Sequence, residues 1–251
     1  MRHIILRTTL ALGVLALAMP ALAQDETEHV SRTVKVAADG TLKLRNFSGH
    51  VTITGSDRSD IAIDAVRRGT AERLKRVTLD IRTEGSTVVV EANHHDPTWF
   101  DHDNVVSTDF DIKVPKHINL DVNVFSSPVE VRGVEGSHRI HTFSAKIHLE
   151  DAVGSIDAHT FSGGVDIQAK AWQDRQAIDV DTFSGSVELR IPESARGSVS
   201  FNSFSGRLTS DVPLTLHTSS RRSLDATLGG GDSSNGHLHV KTFSGNVHIN
   251  K

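Results

Sequence analysis

Residues Thr160–Ile167 read TFSGGVDI, and close copies recur as TFSAKIHL from Thr142, TFSGSVEL from Thr182 and TFSGNVHI from Thr242. Three looser copies complete the set: NFSGHVTI from Asn46, VFSSPVEV from Val124 and SFSGRLTS from Ser203. Phe47, Phe125, Phe143, Phe161, Phe183, Phe204 and Phe243 all sit in this motif, which leaves only three of the 10 phenylalanines for other duties. Phenylalanine is therefore a motif residue here and not general core filler. From Phe125 onward the intervals are 18, 18, 22, 21 and 39 residues, the last about two units. A period near 20 with strand-like content is the mark of stacked β-units.

Each unit holds two short alternating runs. In AIDVDTFSGSVELRI, Ile178, Val180, Thr182 and Ser184 share one phase, and after Gly185 a new phase runs through Val187, Leu189 and Ile191. Apolar residues at every second position indicate half-buried strands. The glycine after Phe-Ser reads as a corner, where freedom to take positive φ is useful. Ala145 and Ser127 stand at the matching position in two units, so not every corner needs glycine. The alternation puts Thr and Ser inside and Phe outside, in phase with Asp179 and Asp181 or with His239 and Lys241. Stacked units would then align the phenylalanines as a ladder at strand spacing. A twist at the corner that turns Phe back into the core is the competing reading, because long apolar stripes are seldom left uncovered.

The remaining segments frame the repeats. The chain opens MRHIILRTTLALGVLALAMPALA, a basic start, a short apolar run and an Ala-Leu-Ala site, which predicts a secretory signal peptide over 1–23. The mature protein would be one β-domain over 24–251, irregular from 24 to 105 and regular from 106 to 251. Cysteine is absent, so an exported chain of this kind is held by burial and backbone pairing and not by disulfides. Net charge is −4, and about −6 once Arg2 and Arg7 are removed with the leader, which gives no electrostatic case for nucleic acid. No second long apolar run offers a membrane span. Ala65–Arg76 fits either a short helix or a loop, and Val77–Ala92 fits a hairpin turning at Gly85.

Candidate chemistry is sparse. His94, His95, Asp101, His102 and Asp103 crowd one loop and are candidate ligands for a divalent metal, although a solvated loop has the same composition. Asp109 with Asp111, and Asp179 with Asp181, pair carboxylates at strand spacing, as general acid–base sites and ordinary outward strand faces both do. Gly229–Gly236 lacks the lysine and hydroxyl of a phosphate loop. No nucleophile elbow, zinc-protease or dinucleotide motif is present, and no cofactor is expected.

The segment from Asp111 to Ile167 opens Ile112-Lys113-Val114-Pro115 and continues in Ser-Gly-x-Val repeats. It resembles the bacterial "putative adhesin" domain family of unknown function, and the likeness runs from about Ser31 to Asn250. The resemblance implies an exported β-solenoid and brings no catalytic residues. The chain departs from the pattern at Ser126-Ser127-Pro128 and at Ala145. Together these readings predict an all-β fold, a parallel β-solenoid or roll of two-strand repeats with an irregular N-terminal strand cap. They also predict a non-enzymatic envelope protein, periplasmic or at the cell surface, with the seven phenylalanines as the binding candidates for a protein or glycan partner. A polysaccharide-active enzyme on a β-solenoid and a divalent-metal-binding envelope protein are the alternatives.

Overall fold

Runs such as LDVNV, RIHT and AIDVDT alternate β-branched or leucine side chains with polar ones, and each forms a strand with one buried and one solvated face. The computed structural model describes residues 25–94, 105–232 and 234–251. The predicted leader over 1–23 lies outside them. The chain begins with β1 (Asp25–Lys35), β2 (Thr41–Ser48), β3 (Val51–Ser56) and β4 (Asp60–Thr70). A six-residue helix α1 (Ala71–Arg76) follows, its first turn capped by the Thr70 hydroxyl, which accepts from the Arg73 N–H at 3.3 Å. The sequence allowed helix or loop over 65–76; the strand runs on to Thr70 and the helix takes only the last turn and a half. The hairpin expected around Gly85 is β5 (Thr78–Glu84) with β6 (Thr87–His94), and Gly85 turns at φ +60°.

After β7 (Ser107–Pro115) come the repeats: β8 (Asn119–Ser126) with β9 (Val129–Arg132), β10 (His138–Thr142) with β11 (Ile147–Ala152), β12 (Ile156–Ser162) with β13 (Val165–Ala169), and β14 (Ala177–Ser184) with β15 (Val187–Arg190). The chain ends with β16 (Gly197–Ser203), β17 (Leu208–Ser210), the pair β18 (Leu214–Ser219) and β19 (Ser223–Leu228), then β20 (His237–Ser244) and β21 (Val247–Asn250). Within each unit the Phe-Ser corner carries the chain from one sheet to the other.

The result is an all-β molecule of two large sheets. One has ten strands in the order β1-β4-β7-β3-β9-β11-β13-β15-β21-β17, and the other eleven, β18-β19-β16-β20-β14-β12-β10-β8-β2-β6-β5. Their inner faces share one apolar core running from Leu42 to Ile249. The expectation of a purely parallel solenoid needs correction, because both sheets are mixed. The repeat strands pair in parallel, while β1–β4, β4–β7, β5–β6, β16–β19 and β18–β19 pair antiparallel. Antiparallel pairing takes over at three of the four sheet edges, through β1–β4–β7 and through the hairpins β5–β6 and β18–β19, where an open parallel edge would otherwise be presented; the fourth edge is the short strand β17, parallel to β21. The N-terminal segment is also less irregular than its spacing suggests. β2 pairs in register with β8, and β3 with β9, so residues 41–56 form a full unit.

Sequence order and spatial order part company at the far end. β20 and β21 do not stack beyond β16 and β17. They lie between that unit and β14–β15. The 39-residue interval therefore is not two units in series; it contains the β18–β19 hairpin and a return that threads the last unit into the sheets. The loop over Gly229–Gly236 makes this return, and Trp172 anchors it by donating from Nε1 to the carbonyls of Arg196 at 2.6 Å and Asn235 at 3.0 Å.

One core position breaks the apolar pattern. His138 aligns with Leu120 and Ile156, is fully buried, and has the Val153 carbonyl 3.3 Å from its Nε2. Burial pushes its pKa from the ordinary 6.5 down to about 4, against the opposing pull of the Val153 and Val134 carbonyls. The folded chain thus disfavours the proton that the unfolded chain takes up near pH 6.5. The contribution to stability is complete above that pH, declines as the pH falls, and is lost below about 4, a change of about 3 kcal/mol. In chemical denaturation at a series of pH values, His138→Leu is expected to remove this increment of acid sensitivity. Parallel wild-type and variant profiles between pH 7 and pH 4 would refute the assignment.

Candidate functional site: an exposed phenylalanine ladder

The seven motif phenylalanines sit at the corner of each unit and form one continuous stack. In spatial order it runs Phe47, Phe125, Phe143, Phe161, Phe183, Phe243, Phe204. Neighbouring ring centroids are 4.7–5.0 Å apart and the planes are within 8° of parallel. Parallel register imposes this distance, since equivalent residues on adjacent strands recur every 4.7–4.9 Å, and six steps give a stripe about 29 Å long. Each side chain is 42–52% exposed. Strand alternation predicted the outward direction, and the competing inward turn does not occur.

The same alternation misplaces the serines. Thr142, Thr160, Thr182 and Thr242 are buried as expected, but Ser126, Ser144, Ser162, Ser184, Ser205 and Ser244 are exposed. The strand rule stops at the phenylalanine, because the chain is then leaving one sheet for the other and both successive side chains clear the edge. The reason for glycine at the next position also differs from the expected one. Among the motif glycines only Gly49 takes positive φ, at +119°. At Gly163, Gly185, Gly206 and Gly245 a Cβ would come within 1.9–2.1 Å of a carbonyl oxygen on the neighbouring unit. Close approach between units, not turn geometry, excludes a side chain. Ser127 shows how one corner manages without glycine: its hydroxyl is buried and accepts from Asn46 Nδ2 at 3.1 Å. At the other, the Ala145 carbonyl accepts from Thr142 Oγ1 at 3.1 Å and the two threonine hydroxyls are 3.0 Å apart.

A polar column flanks the ladder two residues upstream on the outer face of the eleven-stranded sheet: Arg45, Asn123, His141, His159, Asp181 and Lys241, in register from strand to strand. Shallow depressions of about 440 Å³ lie between this column and the rings at both ends of the stack, one against Phe47, Phe125 and Phe143, the other against Phe183, Phe243 and Phe204. The Arg222 guanidinium covers the outer face of Phe204 at 4.3 Å, a cation–π contact that terminates the stack. Every internal ring has both faces against its neighbours, so the ladder shows the solvent ring edges, which carry the positive part of the quadrupole.

The other sequence candidates are dispersed. The loop residues His95, Asp101, His102 and Asp103 lie outside the described residues, as does the side chain of His94. Asp109 is on the ten-stranded sheet, ion-paired with Arg68 and accepting from the His50 N–H at 2.9 Å. Asp179 and Asp181 are on the eleven-stranded sheet, 3.5 Å from His237 and 3.6 Å from Lys241. The two carboxylate pairs share no cleft. The spacing of the sequence did not single out the grouping His141, Asp157 and His159, which arises only from the register of β10 on β12.

Comparison with solved structures places the fold. The crystal structure of a "putative cell adhesion protein" from Clostridium sporogenes superposes with a TM-score of 0.52 at 10% identity, covering 90% of this chain and 99% of that one. A "putative adhesin" from Bacteroides fragilis aligns over 88% of this chain and 97% of its own, with a TM-score of 0.38 and 10% identity. No curated protein matches the chain. Among the described residues no helix is long and apolar enough to cross a membrane. The family model of the Toastrack DUF4097 domain matches residues 118–250, more than half of the sequence and all the repeats from Phe125 onward. The chain therefore belongs to the Toastrack DUF4097 family.

Proposed function

We propose that this is an exported, non-enzymatic binding module of the cell envelope, a short solenoid of parallel units whose phenylalanine ladder is the contact edge. The observation that carries the reading is the ladder itself: seven large apolar side chains, each about half exposed, aligned over about 29 Å, with Arg222 over the end ring Phe204. A stripe of that length is suited to an elongated partner. Because the faces of the internal rings are used up in the stack, a glycan chain finds no row of aromatic faces to lie on, and the favoured partner is an apolar strip of another protein. The polar column beside the rings supplies both charge signs for orienting that partner. The predicted leader at 1–23 and the cell-adhesion description of the Clostridium sporogenes structure support placement outside the cytoplasm.

A photo-reactive phenylalanine analogue at position 161 is expected to cross-link one discrete partner in the native envelope. The same analogue at Lys113, exposed on the outer face of the ten-stranded sheet, is expected to give none. Replacing Phe143 and Phe183 by Ser around the probe should abolish the product. The paired substitution removes stacking at about 0.5–1.5 kcal/mol per ring contact, so circular dichroism must show the variant still folded. A folded variant that cross-links as well as the parent would overturn the proposal.

A further inference from the structure

We propose that His141, His159 and Asp157 form a binding site for an imidazole-preferring divalent metal such as zinc, set on the sheet face beside the phenylalanine ladder. β10 and β12 are parallel neighbours, and their register aligns His141 with His159. Side chains at aligned positions leave the same face of the sheet, so the two imidazoles emerge side by side. Asp157 lies two residues before His159 on that face. Its Oδ1 is 2.6 Å from His159 Nε2 and its Oδ2 is 3.9 Å from His141 Nε2. One donor atom from each of the three residues can be chosen so that all lie within 4.8 Å of one another.

The rings are turned in a way the neighbouring phenylalanines are not. The phenylalanines stack flat, whereas His141 and His159 meet at 65° with centroids 4.8 Å apart. A tetrahedral zinc with bonds of about 2.0–2.1 Å needs donors roughly 3.4 Å apart. The three side chains are each half-exposed, so a modest rotation about their side-chain torsions closes the remaining gap without moving the strands. Three protein donors leave a position open to solvent, the usual arrangement for an accessible zinc.

Two further features favour a cation over simple cross-strand pairing. His141 Nε2 is enclosed and has no hydrogen-bond partner among the described residues. Burial, and then the charge of His159, hold the His141 pKa below the ordinary imidazole range. The surrounding strands present mostly acids and neutral groups: Asp121 and Asn123 from β8, and Asp179 and Asp181 from β14, in register with the site. Arg139 on β10 is the competing cation, 3.4 Å from Asp157 Oδ2.

The test is isothermal titration of the tag-free protein with zinc chloride, repeated with copper(II) and nickel(II). One site per chain is expected, with affinity falling as the pH drops through the imidazole range because both histidines must be unprotonated to bind. His141→Ala or His159→Ala should each weaken binding at least tenfold. His117→Ala, a histidine on the chain between β7 and β8, should leave it unchanged. Arg139→Gln should tighten binding severalfold by freeing Asp157, a response that a purely structural role for these residues would not give. Absence of binding by any of the three metals overturns the proposal. So does binding that persists in the double variant H141A/H159A, which would place the metal elsewhere on the chain.

Discussion

Deleting residues 237–251 should unfold everything beyond β15 and not merely shorten the molecule. β20 and β21 are central strands: β20 lies between β14 and β16, and β21 between β15 and β17. Their removal takes away Leu238, Val240, Val247 and Ile249, each at most 1% exposed. At about 1.5–3 kcal/mol per fully buried side chain, the burial lost is roughly 6–12 kcal/mol, comparable with the whole stability of an ordinary domain. In a repeat architecture that loss is local, because each unit leans only on its neighbours. Hydrogen exchange on the truncated chain is expected to show amide protection lost from 197 to 228 and retained from 119 to 152. The alternative outcome is physically definite. β16 carries Val199, Phe201 and Ser203 in the positions that β20 fills with Leu238, Val240 and Thr242, and could in principle pair directly with β14. If protection over 197–228 survives the deletion, β16 has made that substitution and β20 is not the keystone of this end.

That threading is also where the sequence stopped being informative. The period of two along each strand and the period near 20 between phenylalanines are set by backbone geometry, so both were legible, and with them the all-β class and the corner at Phe-Ser; alternation leaned toward an outward ladder but left the inward turn open. Spatial order among units is not a local property. The motif at Thr242 is as good a neighbour for Thr182 as the one at Ser203 would be, and only the long return through β18 and β19 decides between them. Ser162 was misplaced for a related reason: alternation describes a residue inside a strand, and Ser162 is the last residue of one. The grouping of His141 with His159 and Asp157 was invisible because His141 is 16 residues from Asp157 and 18 from His159, and their meeting depends on the register of one unit on the next. Candidate sites on a stacked β-fold arise between units, so reading along a single unit finds the ladder and misses the cluster.

Gly163→Ala and Gly164→Ala, one residue apart in the stretch TFSGGVDI, should have opposite effects. A Cβ at Gly163 would lie 2.1 Å from the Ala145 carbonyl oxygen and 2.6 Å from its carbon, both backbone atoms. Neither side can yield easily. Ser162 N–H donates to the Phe143 carbonyl at 2.9 Å and Gly163 N–H to the Ser184 carbonyl at 3.1 Å, so the corner is tied to the units on both sides. Relief requires prising two units apart at the point where Phe143, Phe161 and Phe183 are stacked, and a cost of about 3 kcal/mol or more is expected for such overpacking. For a chain of this size that is a drop in melting temperature of about 6–12 °C. At Gly164 the nearest atom to a new Cβ is the Ser186 carbonyl oxygen at 3.5 Å, ordinary contact, and the backbone is not in the left-handed region. There the alanine restricts the unfolded chain without straining the folded one, and a gain of about 0.4–1 kcal/mol is expected. Thermal denaturation of the two variants side by side decides the matter. If both lose stability alike, the corner needs glycine for its flexibility. If only Gly163→Ala falls, the glycine is there because the carbonyl of the neighbouring unit occupies the space a side chain would need.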